Sequence, residues 1–174
     1  MGNDCTLLGV VPTPLLSFMT KHLSAEIGIM ISASHNPFYD NGIKLFDRNG
    51  EKFTDREELK IEKLINKNLE LEISTRFRKG NVKNFESNFS EYKKIINKFI
   101  PKNISFENLK VVIDYANGSA FSIASNIFQD YSISPVEFAN EPNGKNINSK
   151  CGALHPNKIS DIVKKNKADI GIAF

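Results

Sequence analysis

An apolar run, Gly28-Ile29-Met30-Ile31, ends abruptly in Ser32-Ala33-Ser34-His35-Asn36-Pro37, and this junction constrains the fold more than any other stretch of the chain. A short apolar run bounded by turn residues reads as a buried strand, and its polar end then lies at the mouth of a sheet. Pro37 fixes its own φ and pushes Asn36 towards an extended conformation, while Asn41-Gly42 can supply the positive φ of a tight turn. Ser34 is thereby held on a defined loop. Around its hydroxyl lie the imidazole of His35, the amide of Asn36 and, ten residues on, the ammonium of Lys44. These groups suit proton transfer and the neutralisation of phosphate oxygens. Taken alone, Ser-His-Asn-Pro is also the sequence of an ordinary strand-to-loop turn. A hydrolase pair is disfavoured, because neighbours on an extended chain point to opposite faces and no Gly-x-Ser-x-Gly elbow is present.

The rest of the chain alternates strand and helix signals and predicts an α/β fold. Leu7 to Val11 and Ile27 to Ser32 read as buried strands around a helix from about Pro14 to Leu23, a βαβ unit. Thr54-x-x-Glu57 is a capping box, opening a helix on which Ile61, Leu64 and Ile65 share a face. Phe89, Tyr92, Ile95, Ile96 and Phe99 fall on one face of a further helix closed by Pro101. A strand at Leu109 to Asp114 then starts a second set of elements. It continues with a helix from Ser119 to Phe128, a strand at Val136 to Phe138, a helix from Pro156 to Lys165 and a strand at Asp169 to Ala173. The expected organisation is a first domain over 1–101 carrying the serine loop and a second over 102–174.

The string from Ser32 to Phe46 resembles the active-serine loop of the α-D-phosphohexomutases, in which the serine between a small residue and a histidine carries a phosphoryl group exchanged with a sugar phosphate. The resemblance implies that Ser34 is the catalytic phosphoserine. Lys44 and His35 would balance phosphate charge and assist proton transfer, and Asn36 would orient the loop. Gly9-Val10-Val11-Pro12-Thr13-Pro14 resembles the turn before the first-domain helix of these enzymes, and Val111-Val112-Ile113-Asp114-Tyr115-Ala116-Asn117-Gly118 the opening strand and loop of their second domain. Asp114 and Asn117 are expected to bond local backbone. Glu141-Pro142-Asn143-Gly144-Lys145-Asn146-Ile147-Asn148, with Cys151-Gly152-Ala153-Leu154-His155-Pro156, resembles the phosphoglucosamine mutase branch. Asn143 and Ala153-Leu154 depart from that branch's usual aspartate and Ser-Thr. Cys151 beside His155 could suggest a metal, but two ligands do not make a zinc site, so Cys151 reads as structural.

The resemblance carries further expectations. The fold would be two incomplete α/β/α layered domains. The chain would start inside the first domain and stop one residue before the Asp-Gly-Asp-x-Asp-Arg loop whose carboxylates, with an oxygen of the Ser34 phosphate, hold Mg²⁺ in the intact family. The substrate would be a hexose or hexosamine phosphate, interconverted between its 6- and 1-phosphates. Alone, such a chain is expected to be inactive and to expose strand edges and apolar helix faces. The alternatives are a phosphomannomutase or phosphoglucomutase type of chain, a non-catalytic remnant, or one piece of an enzyme completed by a complementary chain. The formal charge of +3 on 174 residues, with lysines scattered among acids, argues against nucleic acid as a partner. Two cysteines far apart in sequence predict no disulfide framework. The lack of a long apolar run predicts no membrane partner and a cytoplasmic protein.

Overall fold

The computed structural model describes residues 2–66, 79–85 and 89–174. They fall into two compact units. The first comprises Met1–Gly9, Thr13–Met30 and Lys44–Ser90, and the second Val10–Pro12, Ile31–Ile43 and Glu91–Phe174.

In the first unit the chain runs through β1 (Cys5–Leu7), α1 (Thr13–His22), β2 (Gly28–Ile31), β3 (Ile43–Phe46), α2 (Asp55–Asn66) and β4 (Val82–Asn84). The first strand is shorter and earlier than the Leu7 to Val11 segment read from the sequence. It ends where the chain turns at Gly9, whose φ is +74°. Its partner is also different. β1 pairs in parallel with β4, Thr6 opposite Lys83, while β2 pairs with β3, so β1 and β2 are not the neighbouring strands of a βαβ unit. Neither β3 nor β4 has the long apolar signature that reveals a strand in sequence, so the sequence pattern predicts neither.

α1 forms where Pro14 suits a first turn, and it places Leu15, Leu16 and Met19 on one buried stripe. Each such side chain fully withdrawn from water contributes roughly 1.5–3 kcal/mol, which makes this stripe the main apolar holdfast of the unit. The buried hydroxyl of Thr20 donates to the Leu16 carbonyl at 2.8 Å, and Gly28 of β2 lies against Thr20 and Phe46. At the start of α2 the expected capping interaction is present: the Glu57 carboxylate accepts from the Thr54 N–H at 2.8 Å and from its hydroxyl at 2.7 Å. Those two bonds hold the Glu57 carboxyl below its ordinary 4.5. The apolar face expected of α2 is only partly covered, for Ile61 is half-buried but Leu64 and Ile65 are exposed.

The second unit is built on a three-stranded parallel sheet in the order β6-β5-β7, with β5 (Val111–Asp114) at its centre, β6 (Val136–Phe138) and β7 (Ile170–Ala173). Val111, Ile113 and Tyr115 project to one face, where they pack with Ala120, Ala124, Ile133, Phe121 and Phe128. On β7, Gly171 lies under Ile159 and Val163 of α5 (Pro156–Asn166). A central strand buried on both sides is the expected environment for a continuous Val-Val-Ile run. The helix expected over Ser119 to Phe128 is broken into a 3₁₀ turn, Ser119–Ser122, and α4 (Ala124–Asp130). The break falls at Ile123, which leaves helical φ at −133° and is buried. α3 (Ser90–Phe99) lies almost wholly in this unit, where Lys93 pairs with Asp130 at 2.7 Å and the Tyr131 hydroxyl donates to Asn97. Phe99, read as part of the buried face of that helix, is exposed.

The Asp47–Gly50 turn after β3 offers a direct test of the first unit. The Asp47 carboxylate accepts from the N–H groups of Asn49 and Glu51, each at 2.9 Å, and the Ser17 hydroxyl donates to the Gly50 carbonyl at 2.5 Å. Gly50 has φ +80°, and a Cβ there would stand 2.3 Å from the Ser17 carbonyl oxygen, a backbone atom that cannot swing away. Gly50→Ala is expected to cost about 1–3 kcal/mol, from left-handed strain plus overlap, and to lower the urea midpoint accordingly.

Candidate active site

In open α/β sheets ligands bind beyond the carboxyl ends of the strands, and the polar residues of the second unit gather there at the end of β5. Asp114 is fully buried. One of its carboxylate oxygens accepts from the Ala116 N–H at 2.9 Å and the other from the Gly152 N–H at 2.7 Å. The chain then turns through two left-handed residues, Ala116 at φ +53° and Asn117 at φ +50°. Asn117 ties this turn to the next loop: its amide donates to the Asn146 carbonyl at 3.2 Å, and its side-chain oxygen accepts from the Glu141 N–H at 3.2 Å. Asp114 and Asn117 therefore bond backbone, as their sequence context indicated.

The serine loop belongs to the same unit. Its neck is closed by the Ser32 N–H donating to the Gly42 carbonyl at 2.9 Å. The Ser32 hydroxyl oxygen accepts from the Ser34 N–H at 3.1 Å, and the Asn36 amide donates to Asp40 at 3.1 Å. Ser34 has φ +59°, so it sits in a tight left-handed turn. Ser34 is therefore not on an extended chain, the geometry that the sequence predicts for Ser34 and His35. Ser34, His35 and Asn36 are all exposed. Lys44, the fourth candidate, is half-buried on β3 in the first unit.

The residue that sequence reasoning missed is Asn148. Its amide donates to the carbonyl of Asn36 at 3.0 Å and to that of Ser34 at 3.4 Å, so one side chain grips the backbone on both sides of His35. Asn148 is itself anchored, its N–H donating to the Ala116 carbonyl at 2.8 Å. The Asn-Ile-Asn motif marked this position, but nothing in the spacing of residues more than a hundred apart links it to the loop.

Cys151 is buried beside Asp114 and Asn117. Burial, with the Asp114 carboxylate adding to it, pushes its thiol above the ordinary 9.0. Tyr115, stacked on Phe174 with ring centroids 5.9 Å apart, is pushed up to about 12 by burial, with the Glu137 carboxylate that its hydroxyl bonds at 3.0 Å adding to the rise. Among the described residues no three His, Cys, Asp or Glu side chains cluster to hold a metal ion.

Against this geometry the comparisons with known proteins are informative. Residues 1–72 match the family model for the phosphoglucomutase/phosphomannomutase alpha/beta/alpha domain I. Over its full length the chain is 41% identical to the phosphoglucosamine mutase of Campylobacter hominis, of which it covers 40%. The similarity to phosphohexomutases runs through the whole of this chain. It spans about two fifths of the length of the curated phosphohexomutases it matches. Among solved phosphohexomutases, a phosphoglucomutase/phosphomannomutase family protein from Burkholderia thailandensis superposes with a TM-score of 0.71 at 25% identity, over 98% of this chain and 38% of that one. N-acetylphosphoglucosamine mutase from Aspergillus fumigatus, solved with GlcNAc-6P and magnesium, shares the fold with a TM-score of 0.53 at 16% identity, over 89% of this chain and 41% of that one. The mixed α/β architecture with parallel sheets is the one the family resemblance implied.

Two outcomes test the site's geometry. Asn148→Ala removes both loop-gripping donors, so hydrogen exchange at the Asn36 and Asp40 amides should accelerate roughly fivefold, the equivalent of about 1 kcal/mol, while the amides of β5 keep their protection. At pH 8, iodoacetamide should alkylate exposed Cys5 and spare Cys151, which is buried and whose raised pKa keeps it a neutral thiol. Unfolding in urea should remove the difference.

Proposed function

We propose that this phosphohexomutase chain carries the phosphoserine loop of a phosphoglucosamine mutase, with Ser34 as the residue that holds and exchanges the phosphoryl group. The single observation that carries the reading is the loop itself. A serine stands exposed on a left-handed turn, its own carbonyl and that of Asn36 tied down by Asn148, in the residue context shared with the family. A nucleophile that must face a bulky sugar phosphate needs exposure with a fixed backbone, and the loop has both.

In the proposed exchange, phosphorylated Ser34 meets a hydroxyl of the hexosamine phosphate. The bond between phosphorus and Ser34 Oγ breaks, a bond to the sugar oxygen forms, and the sugar hydroxyl's proton passes to a base, for which His35 is the candidate. The resulting bisphosphorylated sugar turns over and returns its other phosphoryl group to Ser34 Oγ. Lys44 balances charge on the transferring phosphate, and Asn36 holds the loop through Asp40. Glucosamine 6-phosphate and glucosamine 1-phosphate are the proposed substrate pair, supported by the phosphoglucosamine mutases of Campylobacter hominis and Phenylobacterium zucineum among the relatives. A phosphomannomutase or phosphoglucomutase specificity is the second reading, favoured by the name of the Burkholderia protein.

Magnesium accompanies the sugar phosphate in the Aspergillus protein. An oxygen of a Ser34 phosphate would supply one ligand of the six that Mg²⁺ requires. The described donors do not complete such a site: they form no metal-holding cluster, and Asp40, the carboxylate within the loop, already accepts from Asn36. Within this chain, Lys44 and the loop amides are the groups proposed to balance charge. The proposed domain division, 1–101 and 102–174, follows the family order, with Pro101 just past α3. A complementary chain bearing the remaining family segments is a further proposed partner. A cytoplasmic setting is proposed from the free cysteines and the charge pattern, which also favours a sugar phosphate over nucleic acid. No helix among the described residues is long and apolar enough to cross a membrane.

The test is incubation with labelled glucose 1,6-bisphosphate, both for this chain by itself and for its mixture with a polypeptide carrying the family segments outside this sequence. Label should appear on Ser34 and fall to background in Ser34→Ala, and glucosamine 6-phosphate turnover should require the mixture. Label that survives Ser34→Ala would overturn the assignment.

A further inference from the structure

The chain contains four Asn-Gly pairs, Asn41-Gly42, Asn49-Gly50, Asn117-Gly118 and Asn143-Gly144, and the fold treats one of them differently from the rest. An Asn side chain followed by Gly is chemically unstable when its carboxamide folds back onto the next peptide, because the following nitrogen can attack Cγ and glycine offers no Cβ to obstruct the ring. In three of the pairs the structure turns the carboxamide elsewhere. Asn49 donates to the Asp47 carboxylate at 3.2 Å, and the Gly50 N–H is occupied by the Asp47 carbonyl at 2.9 Å. Asn117 is half-buried, with both ends of its amide bonded to the neighbouring loop, and the Gly118 N–H donates to the Tyr115 carbonyl at 2.8 Å. Asn143 accepts from the N–H groups of Lys145 and Asn146, at 2.9 and 3.0 Å.

Asn41 is the exception. The Gly42 N–H donates to Asn41's own side-chain oxygen at 3.1 Å, so the carboxamide lies over the peptide that would attack it, on an exposed residue open to water. The attacking nitrogen is thus in hydrogen-bond contact with the oxygen on Cγ, the carbon it must reach, and a fold that holds two groups side by side favours their reaction. The backbone beyond is also pinned, since the Gly42 carbonyl accepts from the Ser32 N–H. The nearby Asn36 cannot react in this way, because Pro37 has no N–H to lose.

We propose that Asn41 is a site of spontaneous deamidation within the serine loop. The Gly42 nitrogen loses its proton and bonds to Asn41 Cγ, the Cγ–Nδ2 bond breaks and ammonia leaves, giving a five-membered imide. Water then opens the imide at either carbonyl, leaving aspartate or isoaspartate at 41. The product places a new negative charge beside Asp40, in the loop that presents Ser34, and the isoaspartate form lengthens the backbone by one carbon between the Asn36–Asp40 bond and the Ser32–Gly42 neck.

The experiment is incubation of the folded chain at 37 °C in ¹⁸O-enriched water over a range of pH, followed by peptide mass spectrometry with fragment ions that locate each asparagine. Labelled aspartate and isoaspartate should accumulate at Asn41 at least fivefold faster than at Asn49, Asn117 or Asn143. The rate should rise roughly tenfold per pH unit, in step with the deprotonated fraction of the attacking amide. Asn41→Gln should abolish the gain in that peptide, and 8 M urea, which frees all four pairs from the fold, should erase the lead of Asn41. Comparable rates at the four sites in the folded chain would overturn the proposal. So would a lead for Asn41 that persists unchanged in urea, since local sequence rather than the fold would then set the rate.

Discussion

A carboxylate with no exposure to water, Asp114 at the end of the central strand, is the constraint on which the second unit depends. Removing such a charge from solvent costs several kcal/mol unless donors replace the lost water, and here the donors are backbone N–H groups of two different segments, Ala116 and Gly152. The strand exit and the Cys151-Gly152 turn must both converge on Asp114. The Asp114 carbonyl further accepts from the Phe174 N–H at 3.0 Å, and the Phe174 carbonyl from the Ala153 N–H at 2.9 Å. Gly152, at φ +81°, can supply its N–H because it has no Cβ, which would stand 2.7 Å from the Ala116 Cβ.

From that anchor a line of hydrogen bonds reaches the candidate nucleophile. Asp114 holds Ala116, the Ala116 carbonyl holds the Asn148 N–H, and the Asn148 amide holds the carbonyls of Ser34 and Asn36. Each step is a bond worth about 1 kcal/mol net, so no single link accounts for the order of the loop. Together they make the position of Ser34 a property of the second unit's sheet, although Ser34 lies far earlier in the chain.

Not every apolar residue finds cover. Ile29 of β2 is 55% exposed in the first unit, and Ile31 and Ile43 at the loop neck are each 68% exposed in the second. The sequence shows an apolar run and predicts burial; the exposure of its alternate residues depends on what lies against each face. In the first unit, burial concentrates on Leu15, Leu16 and Met19 of α1 and on Phe46.

What the sequence determined by itself is what local chemistry controls. Val111 to Asp114 is a strand because a run of branched apolar residues suits a strand covered on both sides, α2 begins where Thr54 and Glu57 cap it, and α5 begins at Pro156. The string from Ser32 to Phe46 identified the serine loop because those residues are contiguous. The tertiary structure decided everything that joins distant segments. β1 took β4 as its partner, a choice that rests on pairing across more than seventy residues, and the short polar β4 carries no apolar signal to announce it. Lys44 fell in a different compact unit from Ser34. Asn148, legible only as part of a motif, became the clamp on the serine loop because the fold of the second unit brings its two amide hydrogens to two carbonyls more than a hundred residues earlier, and no local rule encodes such a distance.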